Sequence, residues 1–142
     1  MPNLPHNPHS SAASLRTYLA GVLPNSQLTV ESVDSVHQPL LLMQTEHIIA
    51  GFAFSNGDMN ASYDALYGSF KNCYEEHRER WDALDLAFVF CVQPDVPNLD
   101  TFCSSVETNV YFCRKFVIPL LSPLGASLAR LPFCHSHRLM VN

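Results

Sequence analysis

Two hydrophobic rhythms alternate along this chain. Leu15, Tyr18, Leu19 and Val22 recur at steps of three and four behind serines suited to N-capping, and Pro24-Asn25 stops the pattern, so a short amphipathic helix is predicted. Three strand-like segments follow: Leu28, Val30 and Val33 in mixed alternation, Leu40 to Met43 after Pro39, and a nearly unbroken apolar run over residues 48–54. Their links, at Asp34-Ser35 and at Thr45-Glu46, are short, so neighbouring strands should run antiparallel. Gly51 inside the third run predicts a bulge or a close approach of backbone. Beyond the Ser55-Asn56-Gly57-Asp58 turn, Tyr63, Leu66, Tyr67, Phe70, Cys73, Tyr74, His77 and Trp81 share one helical face, which predicts a single long helix over residues 60–81. The opposite face carries Asp64, Lys71, Glu75, Glu76, Arg78, Glu79 and Arg80. Lys71 with Glu75 and Glu76 with Arg80 stand at ion-pair spacing, as on a solvated surface.

The chain is organised around residues 85–121. Within that stretch residues 86–92 form an uninterrupted apolar run between Asp85 and Gln93-Pro94-Asp95, the pattern of a strand buried on both faces, and it is expected at the centre of the sheet. Pro97-Asn98 then caps a predicted helix with the stripe Leu99, Phe102, Cys103 and Val106 and with Asp100 at its positive end. Residues 110–118 are aromatic and β-branched and stop at Pro119, which favours a strand, although Val110, Cys113 and Val117 also continue the preceding helical stripe. Ser122-Pro123 opens a last short helix through Leu124 and Leu128, which Leu131-Pro132-Phe133 ends. The expected architecture is α/β: one domain over residues 12–133, of element order αβββαβαβα, with a mixed sheet of about five strands and flanking helices. Residues 1–11 hold three prolines and two histidines with little apolar mass and read as a flexible tail. Residues 134–142 read as a C-terminal tail, with the chain a candidate fragment of a longer protein.

Composition narrows the function classes. A chain of 142 residues, 47% apolar with nine Phe, five Tyr and one Trp, is long and greasy enough to bury a real core. Thirteen acids against eight bases leave a net charge of −5, which argues against direct nucleic-acid binding by this chain alone. Its five cysteines are odd in number and sit mostly in apolar segments, as in a reducing cytosol, and no segment reads as a secretory signal or a membrane span. A cytoplasmic, membrane-free protein is expected.

No residue set announces a reaction, so no catalytic residue, cofactor or metal is assigned. Zinc needs four convergent ligands; no Cys-x-x-Cys occurs, Cys134-His135-Ser136-His137 lacks a second cluster, and His6 and His9 are isolated. No two of the five glycines are close enough to cradle a phosphate. The remaining catalytic option is a cysteine nucleophile. Cys91 lies near the carboxyl end of a strand, where open α/β sheets place ligands, with His37 or His47 as the base; an inert packed thiol is the blander alternative. Cys113 lies beside Arg114-Lys115, but strand alternation puts only Lys115 on its face and leaves Arg114 with Phe112 and Phe116. Arg114 and Lys115 are the only adjacent cations in the chain and, in an apolar strand, demand carboxylate, carbonyl or phosphate partners, with Glu107 or Asp85 the nearest internal candidates.

The order helix, three strands, helix, strand resembles the core of restriction-endonuclease-like folds in pattern. Those nucleases keep an Asp near the second strand and a Glu-x-Lys on the third. Here residues 40–44 and 48–54 carry neither, with Glu46 alone between them, so an inactive, nuclease-like binding module is the form that likeness would take. The run Phe112-Cys113-Arg114-Lys115-Phe116-Val117-Ile118-Pro119, with Phe88-Val89-Phe90-Cys91 and residues 100–109, resembles the middle components of bacterial ABC-three-component (Lamassu-like) conflict systems, mainly over residues 84–119. That resemblance implies a non-catalytic accessory subunit in defence against phage or plasmids, bound to an SMC-like ATPase, an effector or both, with Arg114 and Lys115 as partner-binding residues. The alternative is a small cysteine-dependent enzyme using Cys91 or Cys113.

Overall fold

A computed structural model describes residues 8–33, 38–55, 59–109, 112–121, 124–129 and 131. Its elements are α1 (Pro8–Val22), β1 (Gln27–Val33), β2 (Gln38–Gln44), β3 (Ile48–Phe54), α2 (Met59–Glu76), α3 (Arg78–Trp81), β4 (Asp85–Val92), α4 (Leu99–Glu107), β5 (Arg114–Pro119) and α5 (Leu124–Leu128). The strands form one sheet in sequence order, β1-β2-β3-β4-β5. β1, β2 and β3 make an antiparallel meander, and β4 and β5 are then added parallel to β3. The split follows from the connections: tight links reverse the chain, whereas helices between β3, β4 and β5 carry it back to start in the same direction. At the β2–β3 turn, Thr45 Oγ1 accepts from the N–H groups of His47 and Ile48, both at 3.2 Å, which fixes the reversal.

This is the α/β domain with a five-stranded mixed sheet that the patterning predicts. Its middle strand is β3, with β4 next to it. β3, and β4 after Asp85, are apolar because both are covered on two faces, so burial alone does not rank them. Side chains alternate between two cores. On one face Leu41, Met43, Ala50, Phe52, Phe54, Ala87, Val89, Cys91 and Ile118 meet Ala12, Leu15 and Leu19 of α1 and Leu128 of α5. On the other, Leu40, Leu42, Ile49, Ala53, Phe88, Phe90, Val92 and Val117 meet Leu66 and Phe70 of α2, Trp81 of α3 and Val106 of α4. Each fully buried Val, Leu, Ile, Phe or Met among them contributes about 1.5–3 kcal/mol of transfer free energy.

Several boundaries depart from the sequence expectation. α1 begins at Pro8, within the stretch whose composition reads as tail. The single helix expected over residues 60–81 is broken at His77, whose φ of −118° and ψ of 23° leave the helical range, so Trp81 turns back onto Phe70. Asn98 precedes α4 in the left-handed region, with φ 61°, and makes no side-chain cap. Asp34-Ser35, Ser122-Pro123, His6, His37 and Cys134-His135-Ser136-His137 lie outside the described residues. Among the described residues no helix is long and apolar enough to cross a membrane.

Candidate functional site

β5 delivers its two cations to opposite sides of the sheet. Arg114 is exposed, and its guanidinium stacks 5.1 Å from the centre of the Phe116 ring on the α1 side. Lys115 points the other way and is only 4% exposed. Its ammonium donates to the carbonyls of Asn109 at 2.9 Å and Cys113 at 3.2 Å and lies 5.0 Å from the centre of the Tyr67 ring. The carbonyl partners anticipated from its apolar setting are thus present. The carboxylate proposed for that role does something else: Glu107 accepts the backbone N–H of Val117 at 2.8 Å. Asp85, the other candidate, starts β4 and gives its N–H to the His47 carbonyl.

An aromatic wall encloses Lys115. Tyr63 and Tyr67, one helical turn apart on α2, stack at 5.6 Å, and Tyr63 meets Phe88, Phe90 and Phe102 edge-on. Phe112 closes the wall by reaching Tyr67, Phe70 and Tyr74. This places Phe112 on the side of Lys115 and not, as strict alternation would have it, with Arg114 and Phe116. The reason is local: β5 starts only at Arg114, and Phe112 has a φ of 75°, a left-handed conformation rare for a bulky residue. Lys71 lies above the same wall, 5.9 Å from Tyr67 and 5.7 Å from Phe112. Tyr67 and Phe112, unremarked as site residues in the sequence, thereby link the two lysines.

Burial holds the Lys115 amine below the ordinary lysine range, opposed by the Cys113 sulfur and reinforced by Lys71. The consequence for stability has a definite sign. Between the lowered folded pKa and the unfolded value of 10.5 the unfolded chain binds more protons, so stability from this group rises with pH across that window. Below it, the cost of burying the charge is fully present. Lys115→Met removes the titration and strands two carbonyls, so at neutral pH it is expected to cost roughly 1–2 kcal/mol net. The parent should pull further ahead of the variant as pH approaches 10.5 in parallel urea melts. A constant gap across that range would mean that Lys115 titrates alike in both states.

Cys73, Cys91 and Cys113 are poorly placed for nucleophilic chemistry. Burial pushes Cys113 up to about 11 despite Lys115, Lys71 and a backbone hydrogen bond with Phe88. Cys73 is likewise pushed up to about 11, by burial and then by Glu31 and Glu76. Cys91 is fully buried on the α1 side, at the end of β4 where its carbonyl accepts from Ser55 N–H. His47 stands at the opposite end, beside Asp85, about 20 Å away at roughly 3.3 Å per residue, and does not serve Cys91 as a base. Iodoacetamide at neutral pH should therefore modify Cys73, Cys91 and Cys113 slowly in the folded protein and quickly after denaturation. One of these thiols reacting faster than free cysteine would restore the enzyme alternative. Among the described residues no three His, Cys, Asp or Glu side chains converge on a metal-sized point.

The chain matches no protein-family model, no curated protein and no solved structure.

Proposed function

We propose that the chain is a non-catalytic accessory subunit of a cytoplasmic bacterial anti-phage or anti-plasmid complex, binding an SMC-like ATPase, an effector or both. The observation that carries this reading is the opposite fate of the two cations. Lys115 is used internally, whereas Arg114 is held outward on Phe116, an arginine–aromatic pair of the kind enriched where proteins bind one another. The raised Cys113 thiol favours this role over the cysteine-enzyme alternative.

Arg114→Glu tests it. The substitution should leave the melting curve unchanged, since the side chain is exposed, and weaken copurification of the native partners by about tenfold or more, as for an interface anchor worth roughly 1.4 kcal/mol. Undiminished recovery of partners with Arg114→Glu would remove Arg114 from the interface.

A further inference from the structure

The two edges of the sheet are finished differently. At β5 the N–H of Val117 is taken by Glu107 at 2.8 Å and its carbonyl faces the Cys103 thiol at 3.9 Å, so side chains of α4 occupy the place of a sixth strand. At β1 the described residues show the reverse: Thr29, Val30 and Glu31 are all exposed, and Val30 at 43% is one of two large apolar side chains left so open, the other being Leu121. The helices explain this. α1 packs mainly over β2 and β3, and α2 over β3 and β4, so β1 lies at the margin of both layers, with Leu28 still packed on the α1-side core. It is nevertheless a full strand, paired with β2 from Gln27 to Val33; it contains no Pro, Lys or Arg, and Glu31 is its single charge against another strand.

We infer that β1 pairs antiparallel with β1 of a second copy of this chain across a two-fold axis at Val30, joining two sheets into one of ten strands. In that register the outer pairs are Leu28 with Ser32 and Gln27 with Val33, and the match lies at the centre of the strand. Val30 meets its own counterpart and the two exposed valines cover each other. Thr29 falls opposite Glu31 of the second copy, which keeps the two carboxylates from facing each other directly. The register holds whichever alternate set of backbone groups points outward, because a two-fold axis through one residue pair serves both hydrogen-bonded and non-bonded pairs. A partner strand of another protein would need no such symmetry.

Sedimentation velocity on the full chain, with variants, decides the matter. The parent should be dimeric. Val30→Lys sets two ammonium groups face to face, so it should keep the parent's far-UV circular dichroism and raise the dimer dissociation constant at least tenfold. With oxidised glutathione, Val30→Cys should form a disulfide between the two position-30 residues, identified by peptide mass spectrometry, while Thr29→Cys, displaced by two residues from its own counterpart, should not. A parent that stays monomeric at every concentration overturns the proposal. So does a Val30→Lys dimer as tight as the parent's, or Thr29→Cys cross-linking to itself as readily as Val30→Cys. A monomeric parent whose native protein partner is lost in Val30→Lys also overturns it, and assigns the edge to a foreign strand.

Discussion

Phe70→Ala should cost about 3–5 kcal/mol of unfolding free energy, the usual range for emptying a buried aromatic site. Phe70 is fully buried, and its ring lies 5.7 Å from that of Phe88, 6.0 Å from that of Trp81 and 6.2 Å from that of Phe112. It therefore ties α2 to β4, to the helical turn after His77 and to the segment entering β5. Relaxation cannot fill the space cheaply, because its neighbours are themselves rings held by other contacts. Urea unfolding should show a lower midpoint with little change in slope. A loss below about 1 kcal/mol would mean that the α2 side of the core repacks freely.

The second large effect sits directly beneath that ring. A Cβ at Gly51 would stand 2.6 Å from Cδ1 and 2.8 Å from Cε1 of Phe70, closer than carbon atoms approach without displacement. Gly51→Ala should therefore destabilise by about 1–3 kcal/mol, although alanine is otherwise the better residue in a strand. In a Phe70→Leu background the clash is relieved, and the same substitution should cost almost nothing. The coupling measured by the double-mutant cycle should lie within the roughly 0.5–3 kcal/mol found for touching residues. Equal costs in the two backgrounds would place the strain elsewhere.

The fold was legible where patterning and topology coincide. Residues 86–92 read as a doubly covered strand because no polar side chain interrupts them, and the antiparallel meander follows from the short links before β3. Gly51 marks a close approach, but neither of the kinds its place in a strand suggests: the register with β2 is unbroken, and the approaching group is the Phe70 side chain rather than backbone. Periodicity failed where one residue leaves its element. His77 lies on the apolar stripe of α2 and meets the Trp81 ring at 5.3 Å, so nothing in the spacing marks the break there. Phe112 is invisible as a left-handed residue because its identity argues against that conformation. The candidate site was half legible. Alternation separated Arg114 from Lys115, but whether Glu107 would meet the ammonium or a backbone N–H depends on how α4 lies against β5, which no local pattern encodes.

The sequence-ordered sheet also bears on how the chain assembles as it leaves the ribosome. Every strand pairs with the one made before it, so at no stage must a late segment insert between strands already paired. Domains that fold during synthesis spend longest with their growing margin unfinished, the period in which unpaired backbone attracts other nascent chains. Glu107 is translated before Val117, so the group that satisfies the last strand is already waiting when that strand arrives. The margin is sealed by the chain's own earlier product, without delay for any later segment.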